Sequence, residues 1–434
     1  MKLSLHQATT ERALQGAEAA LRHVNSERLR TAIAELASFG GRTDGGVSRQ
    51  TLTDADLQAR RWLVDRARAL GCVVEVDDCA NLFFRRPGES ALPAVLTGSH
   101  ADTQPVGGKL DGAYGVLAGF EIIQALNDAC VQTARAVEVV AWTNEEGSRF
   151  GPGCMGSSAF VDPARLARYR AAVDGDGISF GDALDRALQA MPDVPRRAMP
   201  QPLAGYIELH IEQGPVLEGA GVPLGVVTGI QSVRWYQVKA VGVAAHAGTT
   251  PMDVRVDAMA ASIEVAHRLQ AEAAKLAASQ LRLTLGRWVV SPNSINTIPG
   301  TVEFTIDVRC VEGDVLAAFD RTLSDVVGTL AWGGHMEVES IFERAPTRFS
   351  HEMLLCLEQA GARACLLASR PAPLPVVSGA FHDAMYLADH CPAAMLFVPS
   401  ERGLSHNAAE YTVHADLVLG VQALAYAVTS LAAA

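Results

Sequence analysis

The sequence predicts an α/β protein: a larger domain built on a mixed sheet flanked by helices, interrupted by a smaller α+β domain. Three observations predict it. Apolar runs of strand length alternate with helical patterns in both outer parts of the chain. Imidazole and carboxylate side chains stand where several of those runs end, as they do where strands of an α/β sheet open onto a cleft. Between the outer parts, residues 229–343 read β-α-β-β-α-β, a unit complete in itself. At 434 residues the chain also exceeds what one core ordinarily encloses. The expected division is 1–228 and 344–434 for the larger domain and 229–343 for the inserted one.

Taken in order, the first 70 residues read as helices with a glycine-rich break at Phe39 to Gly46. Thr53 and Asp54 before Leu57 start a helix that Gly71 stops. Cys72–Val76 and Leu82–Arg85 are strands around a turn at Asp77-Asp78, and Ala94–Ser99 is a third. Gly112–Asn127 is a helix, Val137–Thr143 a strand, and Pro163–Ala190 largely helical. Tyr206–Glu212 alternates cleanly, placing Tyr206, Glu208 and His210 on one face.

In the inserted stretch, Val233–Val243, Leu281–Val290, Thr301–Cys310 and Met336–Phe342 are strands, and Asp253–Ala277 and Asp314–Leu330 helices. Helix–strand alternation then resumes with Glu352–Leu367, Val376–Ser378, Ala380–Asp389, Ala393–Val398 and a terminal helix.

Composition narrows the function. A formal net charge of −12 leaves no basic excess to displace counterions from a nucleic acid. The eight cysteines are scattered without a Cys-x-x-Cys, the usage of a reduced, cytoplasmic chain. The stretch MKLSLHQATTERALQ has no apolar core or cleavage site of a secretory signal. Leu417–Ala434 carries no charge over 18 residues, long enough to touch the length of a membrane span. Its alanine content, its Gly420, Gln422, Thr429 and Ser430, and the lack of a flanking Lys or Arg favour a buried helix; no membrane partner is expected.

The chemistry gathers at strand ends: His100 and Asp102, Asp111, Glu145 and Glu146, His210, and His406. Singly, each has a plain structural reading. His100 could be a satisfied core histidine, Asp111 a helix cap, Glu145-Glu146 a solvated pair, His210 a strand residue and His406 a loop residue. Together, imidazoles plus carboxylates suit divalent zinc, manganese, cobalt or nickel. Five such ligands exceed what one catalytic ion with an open position needs, and fit two ions sharing a carboxylate. Neighbouring Glu145 and Glu146 point apart, so one can bind metal while the other acts as general base toward a bound water. Asp102, two residues after His100 on an extended strand, is placed to orient that imidazole.

The runs TGSHADT and GGKLDGAYGVLAG, WTNEEGSRFGPGCMGS, YIELHIEQGPVLE, AAHAGTTPMDVR and SHNAAEYT follow one another along the chain, within a match that extends over nearly all of it. They resemble the N-carbamoyl-amino-acid hydrolase group (β-ureidopropionases, allantoate amidohydrolases and L-carbamoylases) of the dinuclear-metal aminoacylase/carboxypeptidase superfamily. The resemblance implies a catalytic domain, a lid domain that also forms a homodimer, and a small ureido substrate hydrolysed at a C–N bond. It implies that His100 and His210 hold one ion, Glu146 and His406 the other, and Asp111 both, with Glu145 as base and Asp102 behind His100. It also implies that His246 reaches a partner subunit's site and polarises the scissile carbonyl. Asn296 and Arg309 would hold the substrate carboxylate, with Gln213, Gly379, Ala380 and His382 as further contacts. In Val302-Phe304-Ile306-Val308 the apolar residues share one strand face and leave Asp307 and Arg309 on the other, where a guanidinium can fork onto a carboxylate or pair with Asp307. The group's pattern leads us to expect Gly-Ala-Gly-His-Asp-Ala where this chain has Gly379-Ala380-Phe381-His382-Asp383-Ala384, so Phe381 bears on the side chain accepted.

Overall fold

The computed structural model describes residues 5–276 and 281–433. Ala277 at the end of one expected helix, Ala434, and the first four residues of the N-terminal stretch lie outside them. The chain divides into two compact units, Met1–Gly229 with Arg348–Ala434, and Ile230–Thr347.

The larger unit begins with helices α1 (Leu5–Arg22), α2 (Ser26–Ser38) and α3 (Asp54–Ala69). Asn25 caps α2 by accepting the Glu27 and Arg28 N–H groups, and Thr53 caps α3 through the Asp56 N–H. Next come β1 (Val73–Val76), β2 (Leu82–Arg86), β3 (Ala94–His100), α4 (Ala113–Asp128) and β4 (Val137–Trp142). Three short helices follow, α5 (Met155–Val161), α6 (Arg165–Tyr169) and α7 (Phe180–Gln189), then β5 (Leu203–Ile211), α8 (Val216–Ala220) and β6 (Gly225–Ile230). Every residue of β3 and β4 is buried, as both-sided covering of parallel strands requires.

The second unit contains β7 (Ser232–Val241), β8 (Ala245–His246), α9 (Ala258–Lys275), β9 (Arg282–Ser291), β10 (Thr297–Ile298), β11 (Thr301–Cys310), α10 (Gly313–Gly328) and β12 (His335–Arg344). Its four long strands form an antiparallel sheet in the order β12-β7-β11-β9. Along β11 burial alternates at every residue: Val302, Phe304, Ile306, Val308 and Cys310 pack into one core with Val265 and Leu269 of α9 and Leu316 and Phe319 of α10. Asp307 and Arg309 take the opposite face.

The chain ends with β13 (Thr347–Arg348), α11 (His351–Leu367), β14 (Leu374–Ser378), α12 (Ala384–Leu387), β15 (Ala393–Val398) and α13 (His414–Ala432). The nine-stranded sheet runs β1-β2-β4-β3-β5-β15-β6-β13, with β14 beside β6. Its centre, β4-β3-β5-β15, is parallel, so four strands end at one edge. Helix α13 is long and apolar enough to cross a membrane, but 67% of that stretch is buried inside the protein, where it packs against α1, α4 and α11. It is a core helix. Among the described residues no disulfide joins the eight cysteines.

Three features differ from the sequence reading. Met155–Val161 is helical though nothing beyond Cys154 suggested it, and β6 precedes the inserted unit where a composition change was the only signal. The stretch 380–389 is helical only over Ala384–Leu387, because the turn that holds His382 takes up its first residues.

Candidate active site

The carboxyl edge of the parallel strands carries the expected side chains. His100 ends β3, and its register partner Trp142 ends β4, so Glu145 and Glu146 emerge beside it after a left-handed turn at Asn144. His210 lies one residue before the end of β5, across from Phe397 of β15. His406 follows β15 in the loop before α13.

Asp111 stands at the centre. Its Oδ1 lies 3.3 Å from His210 Nε2 and 3.7 Å from His100 Nε2, and its Oδ2 lies 3.3 Å from His406 Nε2. Glu146 Oε2 lies 3.3 Å from the same His406 nitrogen. His100, Asp111 and His210 thus make one group of potential metal ligands, and Asp111, Glu146 and His406 another, with donor atoms in each within 4.8 Å of one another. Gly112, at φ +62°, opens α4 directly under His100; a Cβ there would stand 2.2 Å from Nε2 of the ring. Only glycine lets the helix start that close.

The imidazoles are oriented from behind. His100 Nδ1 lies 3.0 Å from the Asp102 carbonyl oxygen and His210 Nδ1 2.9 Å from that of Ile211, so each turns Nε2 toward Asp111. The Asp102 carboxylate, 3.7 Å from His100 Nδ1, instead accepts the N–H groups of Glu145 and Glu146, each at 3.3 Å. The two glutamates diverge: Glu145 Oε2 lies 3.4 Å from His100 Nε2, while Glu146 turns to His406.

The electrostatics ask for cations. Burial lifts Glu145 well above the carboxylate range, with Asp383 and Glu146 adding to it. Burial also lifts Glu146 to about 8 and Asp102 to about 7. Burial raises Asp111 as well, but hydrogen bonds from His210 and His406 hold it well below the usual range. Burial lowers His100 to about 4, so its ring is neutral and its Nε2 lone pair available. The ion pairs of Asp111, Glu145 and Glu146 among the described residues are all with histidine. Buried carboxylates this close, without lysine or arginine to balance them, together with Nε2 donors converging on them, are a donor set that divalent cations fit.

Several residues that sequence reasoning left without a role serve this arrangement. Gln104 donates to both oxygens of Glu146, from its N–H at 3.1 Å and its side-chain amide at 2.7 Å. Buried Glu208 accepts the Ser99 hydroxyl at 2.6 Å and the Ala384 N–H at 2.8 Å, under His210 and His382. Ser405 and Glu410 bond to Asp111 and its loop. Glu410 and Ser405 lie within SHNAAEYT and Glu208 in YIELHIEQGPVLE, so motif membership was the available signal.

The proposed substrate contacts fall into separate places. Gln213 joins the centre directly, donating to Asp111 Oδ2 at 3.0 Å and to Ser405 Oγ at 3.1 Å. His382 is buried with its ring 4.6 Å from that of His210 and its Nε2 3.0 Å from Ser378 Oγ. Gly379, Ala380 and Phe381 form the half-buried turn before it. In the second unit, His246 pairs with Thr297, and the Asn296 carbonyl accepts the Ala247 N–H at 3.0 Å. His246 Nδ1 accepts the Gly248 and Thr249 N–H groups, leaving Nε2 to carry the proton of the neutral ring. Arg309 lies near the other end of β11, where Asp307 takes its Nε and Nη2. Eight residues of strand separate it from Thr301, roughly 27 Å at the rise of an extended chain. Asn296 lies in the turn before Thr301, so it and Arg309 flank opposite ends of β11.

An α/β sheet with two overlapping histidine–carboxylate groups at its carboxyl edge defines a metal-dependent hydrolase. The family model for Peptidase family M20/M25/M40 matches residues 96–430. The N-carbamoyl-L-amino acid amidohydrolase of Geobacillus stearothermophilus is 37% identical over 94% of this chain and 99% of its own. The allantoate amidohydrolase of Escherichia coli is 36% identical over 92% and 96%. A crystal structure of a hydantoinase/carbamoylase family amidase from Burkholderia vietnamiensis superposes with a TM-score of 0.83, at 40% identity over 95% of this chain and 98% of that one. The chain belongs to Peptidase family M20/M25/M40, and within it is an amidohydrolase acting on linear amides.

Proposed function

We propose that this chain hydrolyses N-carbamoyl-L-amino acids to the amino acid, carbon dioxide and ammonia. The observation that carries the reading is Asp111 set between two histidine-containing groups with Glu145 beside them, in a chain whose relatives include several N-carbamoyl-L-amino acid amidohydrolases. His100 and His210 would hold one divalent cation and Glu146 and His406 another, with Asp111 serving both. Bound there, two such cations, zinc or else manganese, cobalt or nickel, would polarise the ureido carbonyl and acidify a water molecule.

Glu145 takes the water proton. Burial beside Asp383 raises its proton affinity, which suits a group that must accept a proton and pass it to the leaving nitrogen. Asp102 holds the backbone of both glutamates, so the base and the ligand beside it keep their divergent directions. His246 donates from Nε2 to the carbonyl oxygen as charge develops there. Arg309, kept in place by Asp307, receives the substrate carboxylate. The separation of Arg309 from His246 and Asn296 along β11 supports a homodimer in which the second copy supplies His246 and Asn296. The scattered, unbridged cysteines support a cytoplasmic setting.

The test is ammonia release by metal-loaded protein on N-carbamoyl-L-amino acids, 3-ureidopropionate, allantoate, ureidoglycolate, dipeptides and N-acetyl amino acids. Highest kcat/KM on N-carbamoyl-L-amino acids is the expected result. Preference for allantoate would move the chain to the reaction named for its Escherichia coli relative, and amine release from peptides alone would overturn the reading.

A further inference from the structure

Two segments nearly 300 residues apart in sequence meet behind Asp111. One is the loop leading to Asp111; the other is the turn from Ser405 to Glu410, which carries His406. Glu410, only 3% exposed, reaches across. Its Oε1 accepts the Leu110 N–H at 2.8 Å and the Asp111 N–H at 3.2 Å. The Ser405 hydroxyl lies between the two carboxylates, 2.8 Å from Asp111 Oδ2 and 3.2 Å from Glu410 Oε2. The loop is shaped to admit this side chain: a Cβ on Gly108 would stand 2.1 Å from Glu410 Oε1. The turn is closed on itself as well, the Glu410 N–H donating to the Asn407 carbonyl at 3.0 Å.

The two ligand groups differ in how they are held. His100 and His210 lie in parallel strands whose ladders fix them, His100 paired with Trp142 of β4 and His210 with Phe397 of β15. His406 has no strand beneath it, lies on a loop at φ +53°, and is half exposed. Its turn is tied to the Asp111 loop by Ser405, through the Asp111 side chain, and by Glu410, through the Leu110 and Asp111 backbone.

We propose that Glu410 is a positioning residue that docks the His406 turn onto the Asp111 loop, so that the ion held by Glu146 and His406 depends on it more than the ion held by His100 and His210. Glu410 touches neither ion nor substrate; it acts through Asp111 and His406. This inference rests on the two-ion reading above and predicts an asymmetry that the reading does not contain.

The test is calorimetric titration of metal-stripped protein with Zn2+ alone, with bound zinc counted by elemental analysis after dialysis. Wild type should bind two ions per chain. Glu410→Ala should retain the first with unchanged affinity and bind the second about 10- to 100-fold more weakly. Glu410→Gln, whose amide oxygen still accepts the Leu110 and Asp111 N–H groups, should recover most of that loss. Should the alanine variant fail to fold, Glu410→Met keeps the buried volume without an acceptor and serves in its place. Equal weakening of both ions, unchanged binding in the alanine variant, or a glutamine variant as poor as alanine would overturn the proposal. Failure of both the alanine and methionine variants to fold would do the same, by making Glu410 a residue of the fold as a whole. Fewer than two ions in wild type would end the two-ion reading itself.

Discussion

Asp102 and Glu145 are joined through the backbone, an oxygen of the Asp102 carboxylate accepting the Glu145 N–H at 3.3 Å. The other oxygen accepts the Glu146 N–H at the same distance. One carboxylate thus aims both the proposed base and a proposed ligand. Asp102→Asn leaves one acceptor where two N–H groups need two, and turns an amide N–H toward a donor. We expect a folded protein with kcat/KM or metal affinity reduced about 10- to 100-fold. Wild-type kinetics and metal content would show that the pair of bonds is dispensable.

Glu145→Gln keeps the shape of the side chain but cannot accept and return a proton. Turnover should fall by about 10²- to 10⁴-fold, while zinc content and melting temperature remain those of wild type. Measurement of kcat alongside bound metal separates a lost base from a lost ligand. Loss of zinc in this variant would reassign Glu145 to metal binding.

The pH dependence of the metal-stripped protein has a definite sign. Burial lifts Asp102 to about 7 and Glu146 to about 8, far above their ordinary values of 3.8 and 4.5. Burial lowers His210, but its hydrogen bond with Asp111 overrides this and carries it from 6.5 to about 9. Each group holds its proton more tightly when folded, so its stabilisation is complete below the unfolded value and is lost as pH climbs through the folded one. His100, lowered from 6.5 to about 4, has the opposite sign but acts only below pH 6.5. The melting temperature of stripped protein should therefore fall from pH 6.5 to 9. Zn2+ at a hundredfold excess over its Kd should add about 2.7 kcal/mol per site and flatten that slope. A stripped protein that gains stability over this range would contradict the assignment.

Gly112→Ala should be far more damaging than an ordinary surface substitution. The backbone there has a positive φ outside the left-handed helical well, which costs a non-glycine residue about 1–3 kcal/mol, and the new methyl would overlap the His100 ring. Displacement of that ring should appear as weakened binding of the ion held with His210, together with a lowered melting temperature.

Mixing His246→Ala chains with Glu145→Gln chains should restore activity absent from either alone if the second copy supplies His246. Mixed dimers hold one site with both an intact base and an intact partner histidine, so recovery up to about one quarter of wild-type activity is the statistical expectation when half the dimers are mixed and one of their two sites is intact. Confirmed mixed dimers without recovery would make each site self-contained.

Much of this site was legible because strand ends leave a local signature. The apolar run 93–96 before Ser99-His100, the run 137–142 before Glu145-Glu146, and the alternation through His210 each announce a side chain delivered to a sheet edge. The face of β11 bearing Arg309 was equally plain, since period-two alternation needs no tertiary context. Glu410, Gln104 and Glu208 left no comparable mark. A carboxylate that accepts backbone N–H groups from a segment 300 residues away looks, in sequence, like any surface glutamate.

The sequence by itself determined which residues are available and at which strand ends they stand, because side-chain period and strand length are local properties of the chain. Tertiary structure alone decided the rest: that Asp111 falls between two histidine groups, that Asp102 holds the glutamates' backbone, and that Glu410 reaches the loop of Asp111. Those are matters of distance between segments brought together by burial of a common core. Hydrogen bonds and ion pairs change within an ångström, a scale that spacing along a chain does not set.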